Sequence, residues 1–388
     1  MKKSDFAARF KQYSHSSEVS IISEATAPGR VNLIGEHTDY NGGYVLPCAL
    51  NLSINLYFEI NNKESCVKTD LGYSMTFNTD DPFKKSSIHW ENYVFGVIEE
   101  LKKIKSDLNN FSCDIKSSLP SGAGISSSSA LVCGLIKGLS ILNNLNLDNS
   151  EIINLSRNVE HNYIGLLGGI MDQYTILNAK ENKAILLNCN DLTPKYIDID
   201  FGEFEILLLD TNIKHNLAST EYNTRVKECK QALKTINRVN DKKHENLSVV
   251  SLEEINYAKN DLSINQFKRA VFVYNENRRA IKSAELIEKN NLSEFGKLMY
   301  QSHEGLKNNY QVSCNELDFL VNQTKKIDGV IGARMMGGGF GGCTVNLIKS
   351  NEISDAVSKI KESYKSNFGI NLKAIIAKPG SGIKVVKN

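Results

Sequence analysis

Residues 29–45 (GRVNLIGEHTDYNGGYV) place an arginine, two carboxylates and a histidine in one short segment that is rich in glycine. Arg30 can bind anions, and Glu36 and Asp39 supply negative charge and hydrogen-bond acceptors beside His37. The alternative interpretation is a polar surface hairpin, because loops are usually polar. Such a dense set of chemically active side chains favours a binding or catalytic site.

A second segment, residues 119–144 (LPSGAGISSSSALVCGLIKGLSILNN), joins a glycine-rich turn to a run with helical spacing. The leucines that give this spacing are Leu131, Leu135, Leu139 and Leu142. Ser126–Ser129 therefore lie where a helix begins, beside unpaired backbone N–H groups and the positive end of the helix dipole. An ordinary serine N-cap would explain one serine but not four. The segment predicts a phosphate-binding loop, and a hydroxyl in it can also reach a metal ion.

This loop differs from the common nucleotide-binding loop, since no stretch of the chain has the pattern G-x-x-x-x-G-K-[ST]. A third segment, residues 332–348 (GARMMGGGFGGCTVNLI), does contain G-x-G-x-x-G, from Gly337 to Gly342. A dinucleotide site needs a helix after that pattern, whereas Thr344–Ile348 alternates like a strand. We therefore interpret the third segment as a glycine-lined turn that approaches a ligand or another loop.

The order and spacing of these segments resemble the three motifs of the GHMP small-molecule kinases. The resemblance rests on Arg30–Tyr40, on GAGISSSSA, on GIMDQ at Gly169–Gln173 and on the GGGFGGC turn. It implies an α+β fold, with a ribosomal-S5-like N-terminal domain over residues 1–200 and a ferredoxin-like C-terminal domain over residues 201–388. The active site is then expected in the cleft between the two domains. The sequence leaves open whether the last strand returns to the first domain.

The first motif resembles that of family members that act on galactose or a close relative. It implies ATP-dependent phosphorylation of the anomeric hydroxyl of D-galactose, with α-D-galactose 1-phosphate and ADP as products. Two alternatives stay open. One is a kinase for N-acetylgalactosamine or another galactose-like sugar, and the other is a non-catalytic sensor of galactose and ATP. The intact serine loop, Arg30 and Asp172 argue against the sensor.

The resemblance also assigns the catalytic residues. Asp172 matches the catalytic aspartate of the family, which would accept the proton of the sugar hydroxyl. Arg30 matches its partner, and a guanidinium beside Asp172 would keep the carboxylate ionised and stabilise developing charge. From spacing alone, a helix N-cap is an equally good interpretation of Asp172.

Magnesium prefers hard oxygen ligands and usually keeps several waters, so one or two protein groups suffice. Ser128 and Glu160 match the ligand positions of the family. By itself Glu160 would be interpreted as a solvated position on a helix over Glu151–Ile164, a helix that we expect Gly168 and Gly169 to end. The predicted ATP-binding residues are Gly122, Ala123, Gly124, Ile125, Ser126, Ser127 and Ser128.

The sugar-binding positions also come from the resemblance, and short polar side chains suit a hexose because each hydroxyl both donates and accepts. They are Glu36, His37, Thr38, Asp39, Gly169 and Tyr222. Tyr222 also fits an amphipathic helix with Val226 and Cys229, so its assignment has a structural alternative.

Composition limits the other function classes. The chain has 388 residues, 41% hydrophobic and 23% charged, and a formal net charge of +2 gives no reason to expect nucleic acid as a partner. No apolar run approaches the roughly 20 residues of a membrane span, so we expect a cytoplasmic protein. The eight cysteines form no CxxC pairs, which favours reduced thiols. ATP, galactose and Mg²⁺ are the expected ligands, and a monomer is the expected state.

Periodicity predicts the elements that hold these motifs. Strand-like patterns occur over Val45–Phe58 and Phe204–Asp210. Helical patterns occur over Glu91–Ile104 and Ala130–Leu142, and again throughout Glu221–Leu320.

Overall fold

The computed structural model describes residues 23–120, 122–213 and 218–387. Its strands form three sheets. In chain order the strands are β1 (Ser23–Asn32), β2 (Tyr44–Val45), β3 (Pro47–Ile60), β4 (Ser65–Thr69), β5 (Ser74–Phe77), β6 (Phe111–Ser117), β7 (Lys183–Asn188), β8 (Thr193–Asp198), β9 (Phe204–Asp210), β10 (Val330–Met335), β11 (Cys343–Lys349), β12 (Lys373–Ala377) and β13 (Lys384–Lys387).

The α-helices lie mainly in the middle of the chain. They are α1 (Glu91–Lys102), α2 (Ser127–Leu142), α3 (Asn149–Asn158), α4 (Met171–Asn178), α5 (Ala218–Asn240), α6 (Leu252–Tyr257), α7 (Ile264–Glu288), α8 (Leu292–Gly305), α9 (Asn315–Thr324) and α10 (Ile353–Phe368). Two π-helical turns, Val159–Ile164 and Leu306–Tyr310, continue α3 and α8. Within the described residues, no helix is both long and apolar enough to cross a membrane.

The three sheets have the strand orders β13-β1-β3-β6-β4-β5, β10-β11-β9-β12 and β2-β7-β8. The four-stranded sheet is built entirely from strands that follow residue 201. The question about the last strand is answered by β13, which pairs antiparallel with β1 and sets Val385 opposite Ala25. The last described strand therefore belongs to the same sheet as the first described strand, and β1 lies between β13 and β3.

The sequence patterns predict several elements well. The strand expected over Phe204–Asp210 is β9, and the strand expected after the third glycine segment is β11. The helix predicted from Glu91 ends two residues early, at Lys102, and the serine-rich segment begins helix α2 at Ser127. None of the eight cysteines forms a disulfide.

The helix expected over Glu151–Ile164 needs two corrections. It begins at Asn149, because Asp148 and Glu151 form a capping box in which each side chain accepts the backbone N–H of the other. Its end is at Gly165, in a left-handed conformation with φ of 81°. Gly168 and Gly169 therefore lie in the following loop. The prediction that they end the helix is wrong, because Gly165 already supplies the left-handed cap.

Helix α2 is held closely against the first sheet by glycines that face β3. A Cβ atom added at Gly138 would lie 2.0 Å from Cε2 of Phe58, and one at Gly134 would lie 2.5 Å from Cδ1 of Leu56. Both facing side chains are fully buried, so neither has room to move. This packing fixes the position of the serine-rich loop at the beginning of α2.

We predict that Gly138→Ala lowers the free energy of unfolding by about 1–3 kcal/mol, because the new methyl group overpacks the core against Phe58. Urea titration followed by circular dichroism measures this loss. Lys137→Ala, at the neighbouring and less buried position, is the matched control and should change stability by less than about 0.5 kcal/mol. Equal stability of Gly138→Ala and the wild type would contradict this packing.

Candidate active site

Arg30 lies on β1 and joins two of the motifs. Its Nε donates to Oδ1 of Asp172 at 2.7 Å, and its Nη2 donates to Oδ2 at 3.0 Å. Nη1 donates to the backbone oxygen of Gly124 at 2.8 Å. The guanidinium is almost fully buried, whereas a quarter of the Asp172 side chain is exposed. The pairing predicted between Arg30 and Asp172 is confirmed, and part of the carboxylate stays exposed.

Ser126 precedes α2 in a left-handed conformation with φ of 62°, and its side chain makes no capping hydrogen bond. Its hydroxyl instead donates to Oδ2 of Asp172. The simple N-cap interpretation is therefore wrong for this serine. The Ser126 side chain orients Asp172, so only the Ser126 backbone is left for the predicted contact with ATP.

The remainder of the loop offers mainly backbone groups. Gly122 and Gly124 have φ of 82° and 72°, a conformation that favours glycine. The side chains of Ala123 and Ile125 are fully buried in the core. Ser127 and Ser128 are half-buried in the first turn of α2, and Ser128 lines a cavity. Contact of this loop with ATP stays a prediction.

A cavity of about 310 Å³ opens between the motifs, and we call it the catalytic cavity. Among the residues that line it, Arg30 is the only cation. The carboxylates that line it are Glu36, Asp39, Glu160 and Asp172. Other lining residues are His37, Ser128, Ser129, Gly168, Gly169, Gln173, Tyr222 and Gly337–Gly339. Carboxyl groups thus outnumber cations on the wall of the cavity.

Burial raises the pKa of three of these carboxyl groups, namely Glu36, Asp39 and Glu160. Burial raises the pKa of Asp39 to about 7, and the negative charge of Asp172 adds to the effect. Burial also raises the pKa of Glu160 to about 7, again with a contribution from Asp172. A cation placed among these groups would favour their ionised forms.

Glu160 is buried, not solvated, although its spacing alone suggested a surface position. It lies in the π-helical turn after α3, where the irregular winding replaces the regular helical stripe. The Ser129 hydroxyl donates to its Oε1 at 2.8 Å. The serine loop and Glu160 are therefore adjacent, as a shared metal site would require.

Glu36 lines the catalytic cavity, but one of its oxygens already has protein partners. Its Oε1 accepts from Nη2 of Arg334 and from the backbone N–H of Gly337, both at 2.9 Å. Arg334, on β10, is fully buried and also donates to the backbone oxygens of Leu33 and Asn32. Sequence reasoning missed Arg334, which joins the first motif to the third. Its only signal was a charged residue inside an apolar strand.

Thr38 lies away from the catalytic cavity, although we predict a contact with the sugar from the sequence. It is fully buried and does not line the catalytic cavity, and its hydroxyl donates to the backbone oxygens of Gly35 and Tyr44 at 2.8 Å. The short turn between these oxygens captures the side chain, so Thr38 supports the motif instead of contacting a substrate. Gly169 does line the cavity, and a Cβ atom there would lie 2.1 Å from Oδ2 of Asp39. Only glycine allows the Asp39 carboxylate to approach this closely.

His37 is buried in a left-handed conformation with φ of 62°. Its Nδ1 lies 2.9 Å from the hydroxyl of Tyr40, which lies 2.8 Å from that of Tyr310, which in turn lies 3.1 Å from Sγ of Cys229. Burial lowers the pKa of His37 to about 3, so the imidazole is neutral. Tyr222, on α5, places its ring 5.3 Å from that of His37. Sequence reasoning gave Tyr40 no role although it is three residues from His37, and it missed Tyr310 because that residue is 270 positions from Tyr40.

Comparison with known families agrees with this geometry. Residues 92–180 match the model described as GHMP kinases N terminal domain, and residues 283–366 match GHMP kinases C terminal. A mevalonate kinase from Methanococcus jannaschii has the same fold, with a TM-score of 0.65, 18% identity and 94% of this chain covered. The fold and the site together define a GHMP kinase, a phosphotransferase.

Closer relatives narrow the class. Residues 8–58 match the galactokinase galactose-binding signature. Galactokinase from Clostridium perfringens is 36% identical over 366 residues, which are 92% of this chain and 93% of the relative. The crystal structure of Lactococcus lactis galactokinase complexed with galactose has a TM-score of 0.88, 32% identity, and coverage of 98% of this chain and 99% of that one. This chain belongs to the galactokinase family.

We predict that Tyr310→Phe changes the tautomer balance of His37, because the hydrogen-bond chain that orients Nδ1 loses its central hydroxyl. Nitrogen-15 NMR of the labelled imidazole reports the tautomer directly. The free energy of unfolding should also fall by about 0.5–1.5 kcal/mol. Tyr300→Phe, on α8 and outside this chain of hydrogen bonds, is the control. An unchanged His37 spectrum in Tyr310→Phe would refute the link.

Proposed function

We propose that this protein transfers the γ-phosphoryl group of ATP to the anomeric hydroxyl of D-galactose, giving α-D-galactose 1-phosphate and ADP. The observation that carries the proposal is the Arg30–Asp172 pair, whose carboxylate faces a cavity that also has His37 and Asp39 in its wall. The matched galactose-binding signature and the galactose in the Lactococcus lactis relative support the choice of sugar.

Phosphoryl transfer depends mainly on positioning and on stabilisation of charge. In our proposal Asp172 accepts the proton of the anomeric hydroxyl as that oxygen attacks the γ-phosphorus. Arg30 and Ser126 hold the carboxylate in one orientation, and the fixed guanidinium stabilises charge that develops on the attacking oxygen. The bond to the β-phosphate oxygen then breaks and ADP leaves.

Sugar recognition in this proposal uses the remaining polar wall of the cavity. Asp39 accepts hydrogen bonds from ring hydroxyls, and the neutral imidazole of His37 offers Nε2, which is buried and has no partner among the described residues. Gly169 lets the backbone approach the sugar, and Tyr222 covers it. Glu36 lines the same cavity and is held in place there by its ion pair with Arg334. A buried carboxylate left without its hydroxyl partner is costly, which would give selectivity against glucose.

The charge of the cavity supports a requirement for Mg²⁺. Arg30 is the only cation among the lining residues and already pairs with Asp172, so no lining side chain is left to neutralise the phosphates of ATP, which a divalent cation would do. Ser128 and Glu160 supply hard oxygen atoms on the cavity wall, and this donor set fits magnesium. When bound, the ion would neutralise charge on the phosphates, and Ser129 would keep Glu160 in place.

The other expectations are also part of the proposal. We infer a cytoplasmic monomer that acts on small molecules and binds neither nucleic acid nor membrane. Two competing functions are a kinase for N-acetylgalactosamine or another galactose-like sugar, and a non-catalytic sensor. The Asp172 carboxylate, open to the cavity and clamped by Arg30, favours an enzyme over a sensor.

The direct experiment incubates the purified chain with ATP, Mg²⁺ and one sugar at a time from a panel of D-galactose, N-acetylgalactosamine and D-glucose. Phosphorus-31 NMR identifies the phosphorylated position, and ADP release gives the rate. We expect galactose 1-phosphate and the highest kcat/KM with galactose. A higher kcat/KM with N-acetylgalactosamine would identify the competing kinase, and sugar binding without ADP release would identify the sensor.

We predict that Asp172→Asn lowers kcat by about 10²- to 10⁴-fold, because the amide cannot accept the hydroxyl proton. ATP binding, measured by calorimetry without sugar, should be nearly unchanged. Asp198→Asn, at an exposed carboxylate on β8, is the matched control and should keep full activity. A near-normal kcat in Asp172→Asn would exclude this residue as the proton acceptor.

We predict that Ser128→Ala and Glu160→Gln raise the magnesium concentration needed for half-maximal activity, because each change removes a hard oxygen ligand or its charge. The affinity for galactose without nucleotide should hardly change. Ser150→Ala, at an exposed position of α3 outside the lining of the catalytic cavity, is the control. An equal loss of galactose affinity in the two variants would mean that these residues support the fold instead.

A further inference from the structure

Asp39, Gly168 and Gly169 form what we call the sugar-binding wall. A second cavity of about 470 Å³ lies on the other side of this wall, and we call it the rear cavity. It shares Asp39, Gly168 and Gly169 with the catalytic cavity. Its other walls come from both halves of the chain, namely helix α3 and the turn after β7 on one side and helix α5 on the other. The proposed galactokinase reaction uses none of these other walls.

The charge of the rear cavity is opposite to that of the catalytic cavity. Arg157, from α3, and Lys230, from α5, line it with exposed side chains. Neither forms an ion pair with any residue that the structure describes. Asp39 is the only carboxylate on its wall, and it lies at the boundary with the catalytic cavity. Two cations that approach from different helices suit a bound anion.

Neutral polar groups complete the site. Asn154, Asn190 and Asn246 line the rear cavity, and the Asn246 amide donates to the side-chain oxygen of Asn190. Each amide offers donors and an acceptor, which is the pattern that pairs with hydroxyl groups. We propose that the rear cavity binds a small phosphorylated polyol, with its phosphate between Arg157 and Lys230 and its hydroxyls on the asparagines.

The shared wall couples this ligand to the catalytic cavity. His161 lines the rear cavity, and its Nε2 lies 2.9 Å from the backbone oxygen of Gly168. Gly169 follows and is packed so tightly on Asp39 that a methyl group there would clash with the carboxylate. A ligand that moves His161 or this strip of backbone therefore changes the sugar-binding wall. This coupling rests on the proposed function, whereas binding in the rear cavity does not.

The binding test uses calorimetry with glycerol 3-phosphate as the probe, in the presence of a saturating nonhydrolysable ATP analogue and Mg²⁺ to fill the phosphate loop. Inorganic phosphate and glycerol are the comparison probes, and both should bind more weakly. The double variant Arg157→Gln/Lys230→Gln should raise the dissociation constant for glycerol 3-phosphate by at least about tenfold, since charge-assisted hydrogen bonds are lost. Lys227→Gln, on the same helix but outside the cavity, is the control and should bind normally.

Two results would overturn the proposal. These are the absence of binding to the wild type with the ATP analogue present, and equal binding by the double variant. Equal affinity for inorganic phosphate would overturn the polyol assignment.

The coupling test measures the galactose dissociation constant with and without saturating glycerol 3-phosphate. We expect a change of about fivefold or more in the wild type and none in the double variant. An unchanged constant in the wild type would refute the coupling alone. A wild type that binds glycerol 3-phosphate but neither binds nor phosphorylates galactose would refute the proposed function and leave the rear cavity standing.

Discussion

The Arg30–Asp172 ion pair joins three segments that are far apart in the sequence. One guanidinium on β1 contacts the Asp172 carboxylate on α4 and the backbone of the serine loop, and Ser126 closes the group from the other side. Arg30 is almost fully buried, and a buried charge is stable only with such hydrogen-bond partners. The same contacts that position the carboxylate therefore also hold the loop and the helix that form the catalytic cavity.

Two cavities with different charged side chains lie near that pair, and close backbone contacts shape the wall between them. Gly169 allows the Asp39 carboxylate to lie against the backbone of the sugar-binding wall. Arg334 holds Glu36 beside the third glycine segment. The cavity in front of this wall is acidic and suits a cation accompanied by phosphates. The cavity behind it has Arg157 and Lys230 without ionic partners among the described residues, which suits an anion. One thin wall thus separates two sites of opposite preference.

Features set by local patterns could be predicted from the sequence. The serines at the start of α2 and the strand β9 follow from local periodicity. The pairing of Arg30 with Asp172, which are 142 residues apart, followed only from the family resemblance. The π-helical turn that buries Glu160 could not, because the residues there also fit a regular helix. Arg334 and Tyr310 depend on partners 298 and 270 residues away, which no local pattern indicates. The position of Thr38 outside the catalytic cavity could not be predicted either, because it depends on the turn that captures its hydroxyl.

The most direct test of this account is a double-mutant cycle with Arg30→Gln, Asp172→Asn and the double variant, with kcat/KM for galactose as the measurement. If the pair acts as one unit, each single change removes most of the activity and the second change adds little. The coupling energy should then be close to the smaller of the two single losses, which is about 2.7 kcal/mol for a 100-fold loss. Circular dichroism confirms that each variant is folded. Losses that add within about 0.5 kcal/mol would contradict the account, because independent residues behave in that way.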